Sequence, residues 1–440
     1  MKYYSTNGKA PKATLMDAVI HGLAPDGGLY MPETINKLPE AFFQNLKEMS
    51  LPEIAYVVAN TLFGEDIPSD DLKEIVYSTL QFPIPLKKVE DNIYVLELFH
   101  GPTLAFKDVG ARFMARMLGY FNRNAGGSDI NVLVATSGDT GSAVANGFLN
   151  VPGVNVFVLY PHAKVSKLQE MQFATLGNNI TAIEVNGTFD DCQAMVKSAF
   201  VDAELNSKMR LTSANSINPA RFLPQMFYYF WAIAQLQKLS DSSDIDAEKA
   251  VFCVPSGNLG NLCSALIGTR MGLHVERFIA ANNRNDVFTQ YLETGEYSPR
   301  ASVQTIANAM DVGAPSNFAR ILDLYGSDYE KISAVISGRR YTDEQIRKAI
   351  ADTYTSTGYL LDPHGATGYL ALKDSLKPGE TGIFLETAHP AKFRETVEEA
   401  IGQEIVLPDK LVAFMNRKKS TVKVPATFSA LKKHLLSTIK

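Results

Sequence analysis

INVLVATSGDTGS, residues 130–142, reads as a strand that runs into a glycine-rich turn and then a helix start. Residues 130–136 are almost continuously apolar, the pattern of a strand covered on both faces. The same kind of run recurs at residues 93–98 (IYVLEL), 155–160 (NVFVLY), 180–185 (ITAIEV), 250–255 (AVFCVP), 277–281 (RFIAA) and 382–387 (GIFLET). Helix-length stretches such as 142–150 and 222–237 lie between several of them. Apolar strands on a helix–strand beat predict an α/β fold with mostly parallel open sheets flanked by helices.

The character differs before residue 93. Helical patterns at 14–21, 51–63 and 70–80 are broken by turns such as LAPDGGLYMPE at 23–33, with a hairpin or loop near Gly27 and Gly28. This predicts a mainly helical N-terminal lobe over 1–92. A polar, serine-rich stretch at 239–249 (LSDSSDIDAEK) suggests a connection between a first α/β lobe, 93–240, and a second, 241–440. A chain of 440 residues exceeds the roughly 250–300 at which single cores stop growing, which agrees with several lobes. The basic tail has a helical pattern at 428–438.

Composition excludes several classes. Apolar residues at 46% and charged residues at 20% describe an ordinary globular enzyme, not a disordered chain. A net charge of −5 gives little counterion release on nucleic acid, and Arg417, Lys418 and Lys419 form too short a cluster for that role. Cys192, Cys253 and Cys263 are odd in number and form no C-x-x-C pair, so disulfides are not expected and a reducing, cytoplasmic location fits. The N-terminus shows no apolar signal region, and no long uncharged apolar run predicts a membrane span.

Ligands of open α/β sheets bind outside the carboxyl ends of the strands. Four places there carry chemistry. HGPTLAFKDVG, residues 100–110, puts Lys107 beside Phe106 in an apolar pattern, where an amine sheds its proton more easily. Read alone, a lysine is a solvated surface residue. TSGDTGS, residues 136–142, offers backbone N–H groups and hydroxyls at a helix start, an anion site or equally a helix start capped by Ser137 or Asp139. SGNLGN, residues 256–261, suits a phosphate monoester, or is only a tight turn. SANSINPAR, residues 213–221, places Arg221 where it clamps a second anion, or is a helix-start loop with a surface arginine. No G-x-x-x-x-G-K-[ST] or G-x-G-x-x-G is present. The seven histidines are scattered, without H-E-x-x-H, so no metal is expected, and no G-x-S-x-G occurs. His389 and Lys392 in TAHPAKF, residues 387–393, also follow a strand end. One lysine at a strand end with two anion loops suggests a phosphorylated aldehyde cofactor, pyridoxal phosphate.

HGPTLAFKDVG, ATSGDTG, PSGNLGN and TAHPAKF occur in this order in the threonine synthases, a family of the tryptophan-synthase-β-like pyridoxal-phosphate enzymes. GLAPDGGLYMPE, GTFDDCQ at 187–193, NAMDVGAPSNF at 308–318 and DPHGATG at 362–368 also resemble that family. The resemblance spans about residues 3–393 and is nearer the longer bacterial and fungal forms than the plant form.

The resemblance implies a tryptophan-synthase-β-like fold and conversion of O-phospho-L-homoserine and water to L-threonine and phosphate, the last step of threonine biosynthesis. Lys107 matches the Schiff-base lysine, next to Phe106 at the cofactor. Gly257, Asn258, Leu259, Gly260 and Asn261 match the cofactor-phosphate loop, and Thr387 the partner of the pyridine nitrogen. Ser137, Asp139 and Thr140 fall where the family holds the ring hydroxyl or the substrate carboxylate. Asn215, Ser216 and Arg221 match the substrate-phosphate site, with Lys392 a weaker candidate. Asp139 stands where many relatives in the wider superfamily have asparagine. The implied partner is a small-molecule substrate, with no nucleic acid or membrane, and the chain is read as a monomer or weak homo-oligomer. Rival readings are a threonine or serine dehydratase on the same fold and a non-catalytic metabolite-binding protein.

Overall fold

The computed structural model describes residues 1–125, 128–242 and 245–439. The chain forms two compact units, each discontinuous in sequence. Unit one holds Met1, Met31–Phe106 and Phe222–Val406, and unit two holds Lys2–Tyr30, Lys107–Arg221 and Leu407–Lys440.

Unit one is built on a six-stranded sheet in the order Ile336–Arg340, Arg277–Asn282, Ala250–Pro255, Thr381–Glu386, Ile93–Glu97 and Leu86–Glu90. The first five are parallel, and Leu86–Glu90 is an antiparallel edge. Its sequence LKKVE carries exposed lysines, which discourage pairing with another chain. The strands Ala250–Pro255, Thr381–Glu386 and Ile93–Glu97 are fully buried, as helices covering both faces require. Val251, Cys253, Ile279 and Phe384 join Ile346, Ile350, Leu372 and Val397 in one core. The helix Leu51–Phe63 begins at a Ser50–Glu53 capping box with Pro52 in its first turn, and it packs on the helix Phe227–Ser240.

Unit two carries an all-parallel sheet in the order Val422–Pro425, Ile180–Asn186, Val154–Pro161, Ile130–Ala135 and Arg210–Ser213. The short helix Leu15–His21 packs against Arg210–Ser213, and the antiparallel pair Lys2–Ser5 and Ala13–Thr14 precedes it. The tail forms the helix that its pattern predicts. The helix Phe428–Ser437 places Leu431 and Leu435 in the core beside Ile183, Cys192 and Met195. All three cysteines are buried and unpaired.

The α/β class and the parallel sheets agree with the sequence, but the contiguous division at 92/93 and 240/241 does not match the units. Ile93–Glu97 pairs with Thr381–Glu386, so it stands in the sheet of the second expected lobe, not the first. Residues 31–92 therefore belong to unit one rather than forming a lobe of their own. The tail beyond Val406 joins unit two because Val422–Pro425 extends the sheet at Ile180–Asn186. In the expected linker at 239–249, Ser243 and Asp244 lie outside the described residues. Its flanks close the helix Phe227–Ser240 and lead through Ala247–Lys249 into Ala250–Pro255, all within unit one. The chain changes unit instead at Phe106/Lys107 and Arg221/Phe222.

Two glycines let helices of unit two approach closely. A side chain on Gly147 would press on the Ala111 backbone, and one on Gly110 would clash with the Arg221 carbonyl oxygen. That contact is backbone and cannot swing aside. Gly110→Ala is therefore expected to destabilise unit two by about 1–3 kcal/mol, read as a lower midpoint in urea denaturation. An unchanged midpoint would show that the helix shifts freely.

Candidate active site

Register brings three strand ends together in unit one. Ala250 lies opposite Thr381 and Glu386 opposite Glu97, so the carboxyl ends of three parallel strands share one sheet edge. One end continues into residues 256–261, the next into Thr387, the third into the segment that reaches Phe106.

The last two are fastened to each other. Ala105 and Ala388 form an antiparallel bridge. Phe106 N–H donates to the Thr387 carbonyl at 2.8 Å, and His389 N–H donates to the Leu104 carbonyl at 3.0 Å. Leu104 holds a left-handed φ of 58°, a conformation that costs a non-glycine residue energy and collects at functional sites. Thr387 is buried, and Lys107 is the next residue along the chain from half-buried Phe106. Lys392 is buried as well, its ammonium donating to the Thr103 carbonyl at 2.8 Å. That contact braces the loop leading to Phe106.

The glycine loop is held from behind. Leu259, at φ 59°, precedes the helix Gly260–Arg270. Gly257 lies where a side chain would come within 2.9 Å of Met310 Cα. Asn258 Oδ1 accepts from Ser316 N–H at 2.6 Å, and its carbonyl accepts from Asn317 Nδ2 at 2.9 Å. Arg320 Nη1 donates to Asn317 Oδ1 at 2.6 Å, with the guanidinium 3.9 Å from the centre of the Phe222 ring. Burial lowers the Arg320 pKa to about 10, which leaves it charged. Asn261 accepts hydrogen bonds at Oδ1 from the Tyr228 and Tyr229 hydroxyls at 2.6 and 2.8 Å.

A polar brace lies beneath Thr387. Asp362 caps the helix Pro363–Ser375, accepts from Ala388 N–H at 3.1 Å and meets His364 Nδ1 at 2.8 Å. His364 Nε2 in turn accepts from Ala309 N–H at 3.1 Å. Burial, with Asp362 beside it, holds the Glu386 carboxyl well above the usual carboxylate range.

The remaining candidate residues lie in unit two and are described there by themselves. Lys107 opens the helix Lys107–Ala125 and is half-buried. In residues 136–142 neither Ser137 nor Asp139 is the N-cap. Gly138 occupies that position, and Thr136 Oγ1 accepts from Gly138 N–H at 3.0 Å and Gly141 N–H at 2.8 Å. This releases Asp139, buried, to accept from Gln169 Nε2 at 2.9 Å. Ser137 is exposed and Thr140 half-buried. Asn215 and Ser216 are half-buried in a turn pinned by Asn218, whose Nδ2 donates to the Val19 carbonyl at 2.8 Å. Arg221 is only 3% exposed. Burial lowers its pKa to about 10, opposed by the charge of nearby Asp108.

Several of these supports escaped sequence reading. Asn317, Asp362 and His364 lie inside NAMDVGAPSNF and DPHGATG, whose likeness to the family was visible but whose roles were not. Tyr228 and Tyr229 sit in FYYFW, which reads only as core. Asp108 and Gln169 gave no signal beyond their place near the site motifs.

Burial, with His100 nearby, lowers the His389 pKa to about 4. The unfolded chain takes up this proton near pH 6.5, whereas the folded chain refuses it until about pH 4. Stability is thus full above about 6.5 and falls as pH drops toward 4. His389 Nδ1 accepts from Ala391 N–H, a role that asparagine retains. His389→Asn is expected to flatten this acid-side slope in denaturation curves between pH 6.5 and 4, and an unaltered slope would assign the sensitivity to other groups.

Comparison with known proteins finds relatives along the whole chain. The family model for pyridoxal-phosphate dependent enzymes matches residues 78–386. Those for the threonine synthase N terminus and C-terminal region match 2–80 and 365–435. Threonine synthase of Haemophilus influenzae is 42% identical, with 100% of both chains covered. The crystal structure of threonine synthase from Escherichia coli superposes with a TM-score of 0.91 at 40% identity, covering 99% of this chain and 100% of that one. The structure of threonine synthase from Brucella melitensis with bound pyridoxal phosphate gives 0.92 at 34% identity, covering 100% of each.

Proposed function

We propose, from the premise that this chain belongs to the threonine synthases among the pyridoxal-phosphate-dependent enzymes, that it converts O-phospho-L-homoserine and water to L-threonine and phosphate with Lys107 as its working amine. The observation that carries the assignment is the Phe106–Thr387 hydrogen bond. It puts the residue before Lys107 beside the strand end that also neighbours the glycine loop. The residues fit the cofactor. Asn261 Nδ2 is a buried donor with no partner among the described residues, at a helix start suited to phosphate.

In this reading Gly257, Asn258, Leu259, Gly260 and Asn261 hold the phosphate of the cofactor, and the Thr387 hydroxyl meets the pyridine nitrogen. Pyridoxal phosphate supplies, when bound, an aldehyde that condenses with amines and a ring that draws electrons from the substrate. The ε-amine of Lys107 removes the proton at the substrate's Cα, takes one from Cβ and returns protons as phosphate leaves Cγ and water oxygen bonds to Cβ. Each such transfer contributes about 10²–10⁴-fold. Ser137, Asp139 and Thr140 orient the substrate carboxylate or the ring hydroxyl. Asn215, Ser216 and Arg221 bind the substrate's phosphate, with the guanidinium able to grip two oxygens. Lys392 serves by bracing the Thr103 carbonyl. Three unpaired cysteines fit a cytoplasmic enzyme, and we read it as a monomer or weak homo-oligomer.

Lys107→Ala is expected to abolish both the absorbance band near the visible edge and phosphate release from O-phospho-L-homoserine. A band that persists would sink the assignment. Arg221→Lys keeps the charge but loses the fork, and should lower kcat/KM for O-phospho-L-homoserine about tenfold to a hundredfold with the band intact. A dehydratase would turn over threonine or serine undiminished by that change.

A further inference from the structure

The helix Phe227–Ser240 opens with five consecutive aromatic residues, the first four fully buried. Two carry hydroxyls, and a phenol in a core needs a partner for its hydrogen. Tyr228 and Tyr229 send both hydrogens to one atom, Asn261 Oδ1, at 2.6 and 2.8 Å. Their rings stand 5.1 Å apart, and Tyr229 packs edge-on against Phe252 at 5.0 Å. The hydroxyls are therefore held by packing on a sheet strand, not by Asn261 alone. Burial keeps both phenols well above their ordinary pKa, so they are protonated donors at neutral pH.

An amide oxygen has two lone pairs, and here both are taken. A flip of the Asn261 amide would set its NH₂ against two hydroxyls and strand both phenolic hydrogens in the core. The orientation is thus fixed, and Nδ2 is turned away from the tyrosines. Nδ2 has no hydrogen-bond partner among the described residues, and the residue is 7% exposed. A buried N–H without an acceptor is costly and asks for an explanation. Asn261 is the second residue of the helix Gly260–Arg270, at the strand-to-helix turn.

We propose that Tyr228 and Tyr229 are positioning residues that lock the Asn261 amide so that its NH₂ donates to the phosphate of the cofactor. This rests on the reading of residues 257–261 as the phosphate loop. The tyrosines touch no reacting atom. They act by choosing which end of the amide faces the anion.

The test compares pyridoxal phosphate with pyridoxal, which lacks the phosphate. Affinities are measured by equilibrium dialysis on the full chain for the wild type, Tyr228→Phe, Tyr229→Phe, the double variant and Asn261→Asp. Phenylalanine keeps both rings in place. Aspartate keeps an acceptor for both hydroxyls, so that variant retains the core bonds while presenting a carboxylate to the anion. Each single phenylalanine variant should bind pyridoxal phosphate roughly threefold to tenfold more weakly, the worth of one net hydrogen bond. The double variant should lose roughly tenfold to a hundredfold and Asn261→Asp at least as much, with pyridoxal binding unchanged in all. Protection of the cofactor-free protein against heat by inorganic phosphate should fall in the same order. Equal weakening of both ligands, or a double variant within twofold of wild type, overturns the tyrosines' role and leaves the loop assignment standing. A wild type that binds pyridoxal as tightly as pyridoxal phosphate overturns the loop assignment and the proposal together.

Discussion

A single backbone hydrogen bond, Phe106 N–H to the Thr387 carbonyl, sets what the rest of the site can be. It joins the segment after one parallel strand to the segment after its neighbour, and the Ala105–Ala388 bridge repeats the tie. Phe106, the residue that precedes Lys107, is thereby fixed at the sheet edge of unit one. Lys107 itself opens the helix Lys107–Ala125 and so stands at the terminus of a regular element rather than in a loop. Parallel register makes the tie at Phe106 possible, since it delivers three consecutive strand ends to one edge without any special loop length.

Around that edge the backbone carries strain, and nearby polar groups hold it there. Leu104 and Leu259 both adopt left-handed φ, one in each loop that the site reading uses. Such residues persist only where their surroundings over-determine them. For Leu259 the surroundings are Asn317 and Ser316 gripping Asn258 on one side and the tyrosine pair gripping Asn261 on the other. For Leu104 they are the His389 N–H on its carbonyl and the Lys392 ammonium on the Thr103 carbonyl next to it. Asp362 and His364 link the two regions, one meeting Ala388 and the other Ala309, whose carbonyl lies against Gly257.

Runs such as INVLVA and AVFCVP were legible because a strand buried on both faces carries few polar residues to disguise it. Lys107 and SGNLGN were legible because each follows such a run directly. Strands of another kind were missed. Leu86–Glu90 and Ile336–Arg340 lie at sheet edges and are half polar, and Arg210–Ser213 has only four residues. Unit membership was also hidden. Nothing local in IYVLE says that it pairs with TGIFLE nearly three hundred residues away. The caps misled for a definite reason: Thr136, the last residue before the turn, reaches forward to two N–H groups and displaces Ser137 and Asp139 from that task.

The two buried arginines weigh on the functional reading from a different direction. Arg221 and Arg320 are almost wholly buried, and burial lowers the pKa of each while leaving it charged. A buried cation is a poor way to stabilise a fold, because apolar residues of similar volume often do as well or better. Retaining two of them therefore points to a return other than stability. On the proposed assignment each stands in the support of a phosphate, Arg221 at the substrate's and Arg320 behind the cofactor's. The geometry separates their modes. Arg320 reaches the glycine loop through Asn317 and so acts by ordering Asn258. Arg221 ends the SANSINPAR segment itself, five residues after Ser216, which the same reading places against the substrate. A lysine would supply the charge at either place, but neither the fork that grips two oxygens nor the flat face that lies on Phe222.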